Sequence, residues 1–239
     1  MRAIVLAGGK GERLRPYTAD RPKPMVEVHG HPILGYQLCW LKNHGVDEIV
    51  ISCGYLHHVI QDYLGDGSSY GLRIKYCVEK TPLGRGGGIR AAFAYLGPVS
   101  DDELIVATNG DNLTDLDLSA VLATHRERGA LATICLTPLF SSYGIVDIDA
   151  ENYVREFREK PELPYWVNAG IYVFSPGVYP YLPEKGDIED TTFPRLAAER
   201  RLLAYPSRAY WRAIDTAKDL SEINREMESH PLPCLEVSS

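Results

Sequence analysis

Eight residues near the start of the chain, Gly8-Gly9-Lys10-Gly11-Glu12-Arg13-Leu14-Arg15, combine three glycines with three basic side chains, and Pro22-Lys23-Pro24-Met25 adds a fourth cation. Such a set can hold phosphate. Glycines let backbone N–H groups approach an anion without Cβ interference, while Lys10, Arg13, Arg15 and Lys23 supply charge to its oxygens. The pattern reads as a nucleoside triphosphate site. A Walker loop requires Gly, four residues, then Gly-Lys-Ser/Thr, and a dinucleotide fingerprint requires Gly-x-Gly-x-x-Gly; neither spacing occurs in this segment. Glycine content alone would also suit a tight strand-to-helix turn.

Further candidates lie far along the chain. Asn109-Gly110-Asp111-Asn112 follows an apolar run and puts a carboxylate after a glycine that permits a sharp bend. Asp111 is therefore a metal-ligand candidate, because Mg²⁺ takes oxygen ligands and usually relies on one or two carboxylates plus substrate phosphates. By itself the segment equally suits an Asx turn. Trp211-Arg-Ala-Ile-Asp215-Thr216 repeats the arrangement, with an N-cap as its simpler role. Glu159-Lys160-Pro161 alone would be a solvated charge pair at a strand end. Glu79, ahead of Pro82-Leu83-Gly84-Arg85-Gly86-Gly87-Gly88, can accept two N–H donors, which fits N1 and the exocyclic amine of guanine; uracil and thymine offer one N–H. His57-His58 and His29-Gly-His31 have no ligand partner at metal spacing and receive no role.

These groups need a frame. Short apolar runs alternate with helical patterns at 3–7, 33–43, 48–52, 57–64, 73–78, 87–96 and 103–108, predicting a mostly parallel sheet flanked by helices. Leu104 to Thr108 is apolar on both faces and should be central. In open α/β sheets ligands sit beyond the carboxyl ends of the strands, so the segments after Ala7 and Thr108 should face one crevice. Later strands at 131–136, 145–148, 153–157 and 167–174 read as more antiparallel. They are followed by a helix over 187–200, strands at 202–205 and 211–214, and a helix over 216–228. One catalytic domain over 1–230 is expected, with residues 1–115 mainly nucleotide-binding, 116–230 mainly acceptor-binding, and a flexible tail over 231–239.

Composition narrows the function classes. With 239 residues and 45% apolar content, the chain can bury a sizeable core. Its net charge of −7 gives no general attraction to nucleic acid or an anionic membrane, so neither is expected as a partner. Five widely spaced cysteines lack a Cys-x-x-Cys pair, which suggests reduced, mostly buried thiols and a cytoplasmic setting. No leader pattern and no apolar run of ~18 residues occurs. A homodimer is one open oligomeric state.

The ordered motifs Leu-Ala-Gly-Gly-x-Gly-x-Arg-Leu-x-Pro, Pro-Lys-Pro, Pro-Leu-Gly, Gly-Asp, Glu-Lys-Pro, Asn168-Ala-Gly-Ile-Tyr172 and the late Asp resemble those of sugar-1-phosphate nucleotidyltransferases across nearly the whole chain. The resemblance is nearest to mannose- and heptose-1-phosphate guanylyltransferases. It implies a Rossmann-like, three-layer αβα, glycosyltransferase-A-like fold with a mixed, mostly parallel sheet and a small antiparallel sugar-binding subdomain. It also implies Mg²⁺ on Asp111 and Asp215, with Arg13 and Lys23 joining Asp111 in catalysis. By the same resemblance Leu6, Ala7, Gly8, Gly9, Lys10, Gly11, Glu79, Pro82, Leu83, Gly84, Gly87, Asn109 and Gly110 would surround the nucleotide. Gly144, in Tyr143-Gly144-Ile145-Val146, together with Glu159, Lys160 and Asn168, would hold the sugar phosphate. The expected substrates are an NTP, GTP favoured, and a sugar 1-phosphate. Alternatives are uridylyl or thymidylyl transfer to hexose or N-acetylmuramate 1-phosphate, and a catalytically inactive subunit that senses sugar nucleotides. Arg85 departs from the family's usual Pro-Leu-Gly-Thr, with two destinations open to it, triphosphate or solvent.

Overall fold

Alternating burial along the first strand sets the architecture. In β1 (Arg2–Ala7), Ala3, Val5 and Ala7 pack on one side and Ile4 on the other, so the strand is covered on both faces. The computed structural model of the chain describes residues 1–234; from residue 235 on, the expected tail lies outside the described residues. In chain order, β1 is followed by the short ribbon β2 (Glu27–Val28) and β3 (His31–Pro32), then α1 (Ile33–Asn43), β4 (Glu48–Cys53), α2 (His57–Leu64), β5 (Arg73–Val78) and α3 (Gly84–Leu96). Next come β6 (Ile105–Asn109), β7 (Asn112–Thr114), α4 (Leu118–Arg128), β8 (Ala132–Phe140), β9 (Ile145–Ile148), β10 (Val154–Arg158) and β11 (Glu162–Phe174). The chain continues with α5 (Thr192–Ala198), β12 (Leu202–Pro206), β13 (Trp211–Ala213) and α6 (Ala217–Ser229).

Seven strands form one sheet in the order β12-β8-β11-β6-β1-β4-β5, with β6 at its centre as its two-sided apolarity requires. Only β11 is antiparallel to its neighbours, so the sheet is mixed and mostly parallel. Helices α1, α2 and α4 cover one face through Leu38, Ile60 and Val121; α3 and α5 cover the other through Ile89, Phe93 and Leu196. The antiparallel ribbon β9–β10 stands apart from this sheet. A third apolar cluster, including Leu14, Val26, Leu220 and Ile223, fastens the glycine loop and the Pro-Lys-Pro segment to α6. Among the described residues no helix is long and apolar enough to cross a membrane.

One expected helix is shortened, and another appears where none was expected. The helix expected over 187–200 is confined to Thr192–Ala198, because the preceding turn is committed to α3: Asp187 Oδ1 accepts the Arg85 N–H at 2.9 Å, and Gly186 O accepts those of Gly86 and Gly87. Helix α4, not anticipated, has recognisable punctuation. Asp117 caps it by accepting the Ala120 N–H, Gly129 ends it in left-handed conformation, and Leu118, Val121, Leu122 and His125 supply the buried stripe.

His125 ties α4 to the sheet and makes a measurable pH dependence. Its Nδ1 is 2.8 Å from Thr133 Oγ1 and its Nε2 2.9 Å from Ser175 Oγ. Because Ser175 Oγ donates to Ala130 O, it accepts from an Nε2–H, which fixes the neutral tautomer. Burial, reinforced by Arg126, pushes the imidazole down to about 4 from 6.5. The folded state therefore excludes a proton that the unfolded chain binds between those values, so stability is full above 6.5 and lost as pH falls toward 4. We expect the difference in unfolding free energy between pH 7 and pH 5 to be ~2 kcal/mol smaller in His125→Asn than in the wild type, by urea titration at each pH. Equal differences would contradict this assignment.

Candidate active site

The strand register builds the site. β1 pairs Leu6 with Asn109 of β6 and Ala7 with Cys53 of β4, and β4 pairs Cys53 with Val78 of β5. The carboxyl ends of four parallel strands are thus level, and the residues that follow them, Gly8, Gly54, Glu79 and Gly110, share one rim. Leu6 O accepts the Gly110 N–H at 2.9 Å, which closes the turn that carries Asp111. Strand β13 pairs antiparallel with β7, Ala213 opposite Asn112, and this brings Asp215 beside Asp111 although 104 residues separate them, since 215 − 111 = 104.

Lys23 lies between the two carboxylates. Its Nζ donates to Asp111 Oδ2 at 2.7 Å and Asp215 Oδ1 at 2.5 Å, and its side chain is 10% exposed. Burial opposes the ammonium, yet Asp111 and Asp215 outweigh it and hold the lysine above its ordinary pKa. Burial likewise works against charge on Asp215, but Lys23 and then Arg13, 3.2 Å away, keep its carboxyl below the usual range. Gly11 makes this approach sterically feasible. It is left-handed at φ +63°, and a Cβ would lie 2.9 Å from both Lys23 Cβ and Thr18 Cγ2. Gly11→Ala should therefore cost about 1–3 kcal/mol of stability, by thermal unfolding, and lower turnover by displacing Lys23. Unchanged values for both would show that the loop yields freely.

Two adjoining cavities meet at this point. The first, ≈310 Å³, is lined by Leu6, Gly8, Gly9, Glu79, Pro82, Gly84, Arg85, Asn109, Asp111 and Asp187. Glu79 is fixed at its wall: Oε1 accepts from Ser52 Oγ at 2.8 Å and Oε2 from the Leu83 N–H at 3.0 Å. One further acceptor position per oxygen remains. The second cavity, ≈650 Å³, is lined by residues that include Gly9, Lys10, Gly11, Arg13, Lys23, Arg85, Asn109, Asp111 and Asp215, together with Asn168, Ala169, Gly170 and Trp211.

Most residues singled out from the sequence converge, with informative exceptions. Ala7 is buried in the core beneath the loop, and Gly110 packs against Leu6 O. Gly87 faces residues 184–185 rather than either cavity. Gly144, Glu159 and Lys160 belong to the exposed ribbon region and do not line the cavity that holds Asn168. At Gly144 the close neighbour is the Phe157 ring, 2.5 Å from where a Cβ would stand. Arg85, whose destination was left open between triphosphate and solvent, is half-exposed and lines both cavities, with its guanidinium paired to Glu189 at 3.0 Å and Asp187 at 3.6 Å. Sequence reasoning missed Ser52 and Trp211. A serine closing the otherwise apolar run Ile49-Val50-Ile51 was the available signal for the first; Trp211 is held by its Nε1 donating to Ala169 O at 2.8 Å.

The carboxylate pair also fits a divalent cation. Its donors are hard oxygens, and the Lys23 ammonium already bridges them, with Arg13 beside Asp215. Among the described residues no cluster of three or more His, Cys, Asp or Glu could hold a metal by itself, so remaining ligands would be phosphate oxygens and water.

A glycine turn, convergent cations and paired carboxylates at the carboxyl rim of a mostly parallel sheet define an α/β protein suited to nucleotide phosphates. The chain belongs to the nucleotidyl transferase family, whose profile matches residues 2–230. It is 34% identical to a UTP–glucose-1-phosphate uridylyltransferase of Synechocystis over 99% of this chain and 67% of that protein. Identity is 37% to a mannose-1-phosphate guanylyltransferase of Mycobacterium tuberculosis, over 91% of this chain and 62% of the relative. A D-glycero-alpha-D-manno-heptose 1-phosphate guanylyltransferase of Aneurinibacillus thermoaerophilus is 32% identical, with 96% of this chain and all of that protein covered. Among solved structures, HddC of Yersinia pseudotuberculosis complexed with GMP-PN superposes with a TM-score of 0.73 at 25% identity, covering 95% of this chain and 99% of that one.

Proposed function

We propose that the protein transfers a nucleotidyl group from an NTP, GTP favoured, to a sugar 1-phosphate, releasing pyrophosphate. The observation that carries this reading is the Lys23 ammonium clasped by Asp111 and Asp215 in the second cavity, with Asp111 also lining the first. The first cavity suits a nucleoside and the second a triphosphate tail beside an acceptor phosphate. An oxygen of the sugar phosphate attacks the α-phosphorus in line; the new P–O bond forms as the bond to the β-phosphate oxygen breaks. Positioning and charge neutralisation suffice, and no protein nucleophile is needed. Mg²⁺, which Asp111 and Asp215 would hold, supplies further neutralisation of phosphate charge when bound. Lys23 counters charge on the α-phosphate and the attacking group, and Arg13 that on the departing pyrophosphate.

Guanine is favoured because anchored Glu79 retains acceptor positions for two N–H donors. Uridylyl transfer is the second reading, supported by the Synechocystis relative's name. Lys160, Glu159 and Asn168 are assigned to the sugar phosphate, and a cytoplasmic setting belongs to the same reading. The test measures pyrophosphate release from ATP, CTP, GTP, UTP and dTTP, each paired with glucose, mannose and heptose 1-phosphates and with Mg²⁺ present. Preference for GTP supports the proposal, preference for UTP or dTTP overturns the role of Glu79, and no release from any pair favours a non-catalytic sensor.

A further inference from the structure

The two cavities have four lining residues in common: Gly9, Arg85, Asn109 and Asp111. If a nucleoside fills one cavity and the phosphate tail the other, as the proposed function holds, the α-phosphate sits at this junction. Only two of the four residues are charged. Asp111 is committed to Lys23, which leaves Arg85, among the described residues, as the one cationic side chain that borders both spaces.

The surroundings of Arg85 orient its charge without using all of it. Nε contacts Glu189 at 3.0 Å, and Nη2 lies 3.6 Å from Asp187, while the Arg85 backbone N–H donates to the same Asp187. Among the described residues Nη1 makes no hydrogen bond; the guanidinium's side-chain bond is from Nε to Glu189. Glu189 is tied in turn to the acceptor half: Tyr172 Oη donates to it at 3.4 Å and accepts from Asn168 Nδ2 at 2.9 Å. The neighbouring helix terminus offers no substitute. Its Gly86 and Gly87 N–H groups donate to Gly186 O, and Cβ atoms at Gly84 and Gly86 would lie 2.7 Å from Gly186 and Pro183. With the Arg85, Gly86 and Gly87 N–H groups committed to Asp187 and Gly186, the Arg85 guanidinium is the full positive charge at this wall.

We infer that Arg85 is an additional substrate-contact residue, whose free Nη1 edge binds the α-phosphate while Asp187 and Glu189 hold the guanidinium plane. An Arg suits this task because several donors are fixed in one plane, so two can anchor the side chain and others can meet the ligand.

The experiment compares wild type with Arg85→Thr and Arg85→Lys, since Arg85 is half-exposed and its replacement leaves the core untouched. Each protein is titrated calorimetrically with AMP, CMP, GMP, UMP and dTMP and with the matching nucleosides; a mononucleotide carries only the α-phosphate. For the mononucleotide that binds best, Arg85→Thr should weaken affinity ~10-fold or more, leave nucleoside affinity unchanged, and be partly rescued by Arg85→Lys. Where the wild type turns over, kcat should fall ~10²-fold in Arg85→Thr. The preference between the two α-thiophosphate diastereomers of the NTP should also narrow. Equal mononucleotide affinity in wild type and Arg85→Thr overturns the inference, as does a wild type that binds mononucleotide no better than nucleoside. A wild type that binds mononucleotides through Arg85 but releases no pyrophosphate overturns the proposed reaction alone.

Discussion

Asp111→Asn is expected to lower pyrophosphate release at saturating substrates by ~10³-fold while the chain stays folded. The substitution preserves the side chain's shape and one oxygen but removes its charge. Two functions fail together: the Lys23 ammonium loses one of its two anions, and the hard-oxygen pair that would hold Mg²⁺ is reduced to Asp215. The fold should tolerate the change, because Asp111 is 30% exposed and Lys23 keeps its 2.5 Å contact with Asp215. Turnover, circular dichroism and the dependence of rate on Mg²⁺ concentration are the measurements. A variant with near-normal turnover would remove Asp111 from the reaction centre and, with it, the proposed cation site.

Lys23→Ala should have a comparable effect on turnover, ~10²–10³-fold, with a different physical signature. Without the ammonium, Asp111 and Asp215 face one another uncompensated, a like-charge pair that raises the proton affinity of at least one. Stability at pH 7 should fall by about 1–3 kcal/mol, less than for a fully buried ion pair because both carboxylates reach solvent. Added Mg²⁺, with no substrate present, should raise the melting temperature of Lys23→Ala more than that of the wild type, since a divalent ion then meets no competing ammonium. Equal Mg²⁺ shifts in the two proteins would mean that lysine and metal do not share the carboxylates.

What the sequence revealed, and what it concealed, follows from the range of the interactions. The central position of β6 was legible because a strand covered on both faces must be apolar throughout, and Ile105, Val106 and Ala107 are fully buried. Asp111 and Asp215 were legible as strand-end carboxylates. Their junction through Lys23 was not, because the pairing of β13 with β7 is a contact between distant segments with no local signature. Helix α4 was readable in principle from Asp117 and Gly129, whereas the shortening of the 187–200 helix depends on contacts with α3, a hundred residues earlier. For the same reason, Arg85 announced itself only as a departure from a motif. Its partners Asp187 and Glu189 lie on the segment that the sequence assigned to a helix.

Strand β8 leaves the main sheet at Phe140, and β11, the one reversed strand, re-enters it from Glu162; between them the Ser141 N–H donates to Pro161 O at 3.0 Å and closes the base of the excursion. Everything from 141 to 161, including Gly144, Glu159 and Lys160, is in topological terms a single cassette with both ends at the same place. Lengthening, trimming or exchanging it would leave every strand pairing of the seven-stranded sheet in register, and with it the Lys23 centre. On the proposed assignment of Glu159 and Lys160 to the sugar phosphate, acceptor choice can diversify at the cassette while the rim around Lys23 is inherited intact.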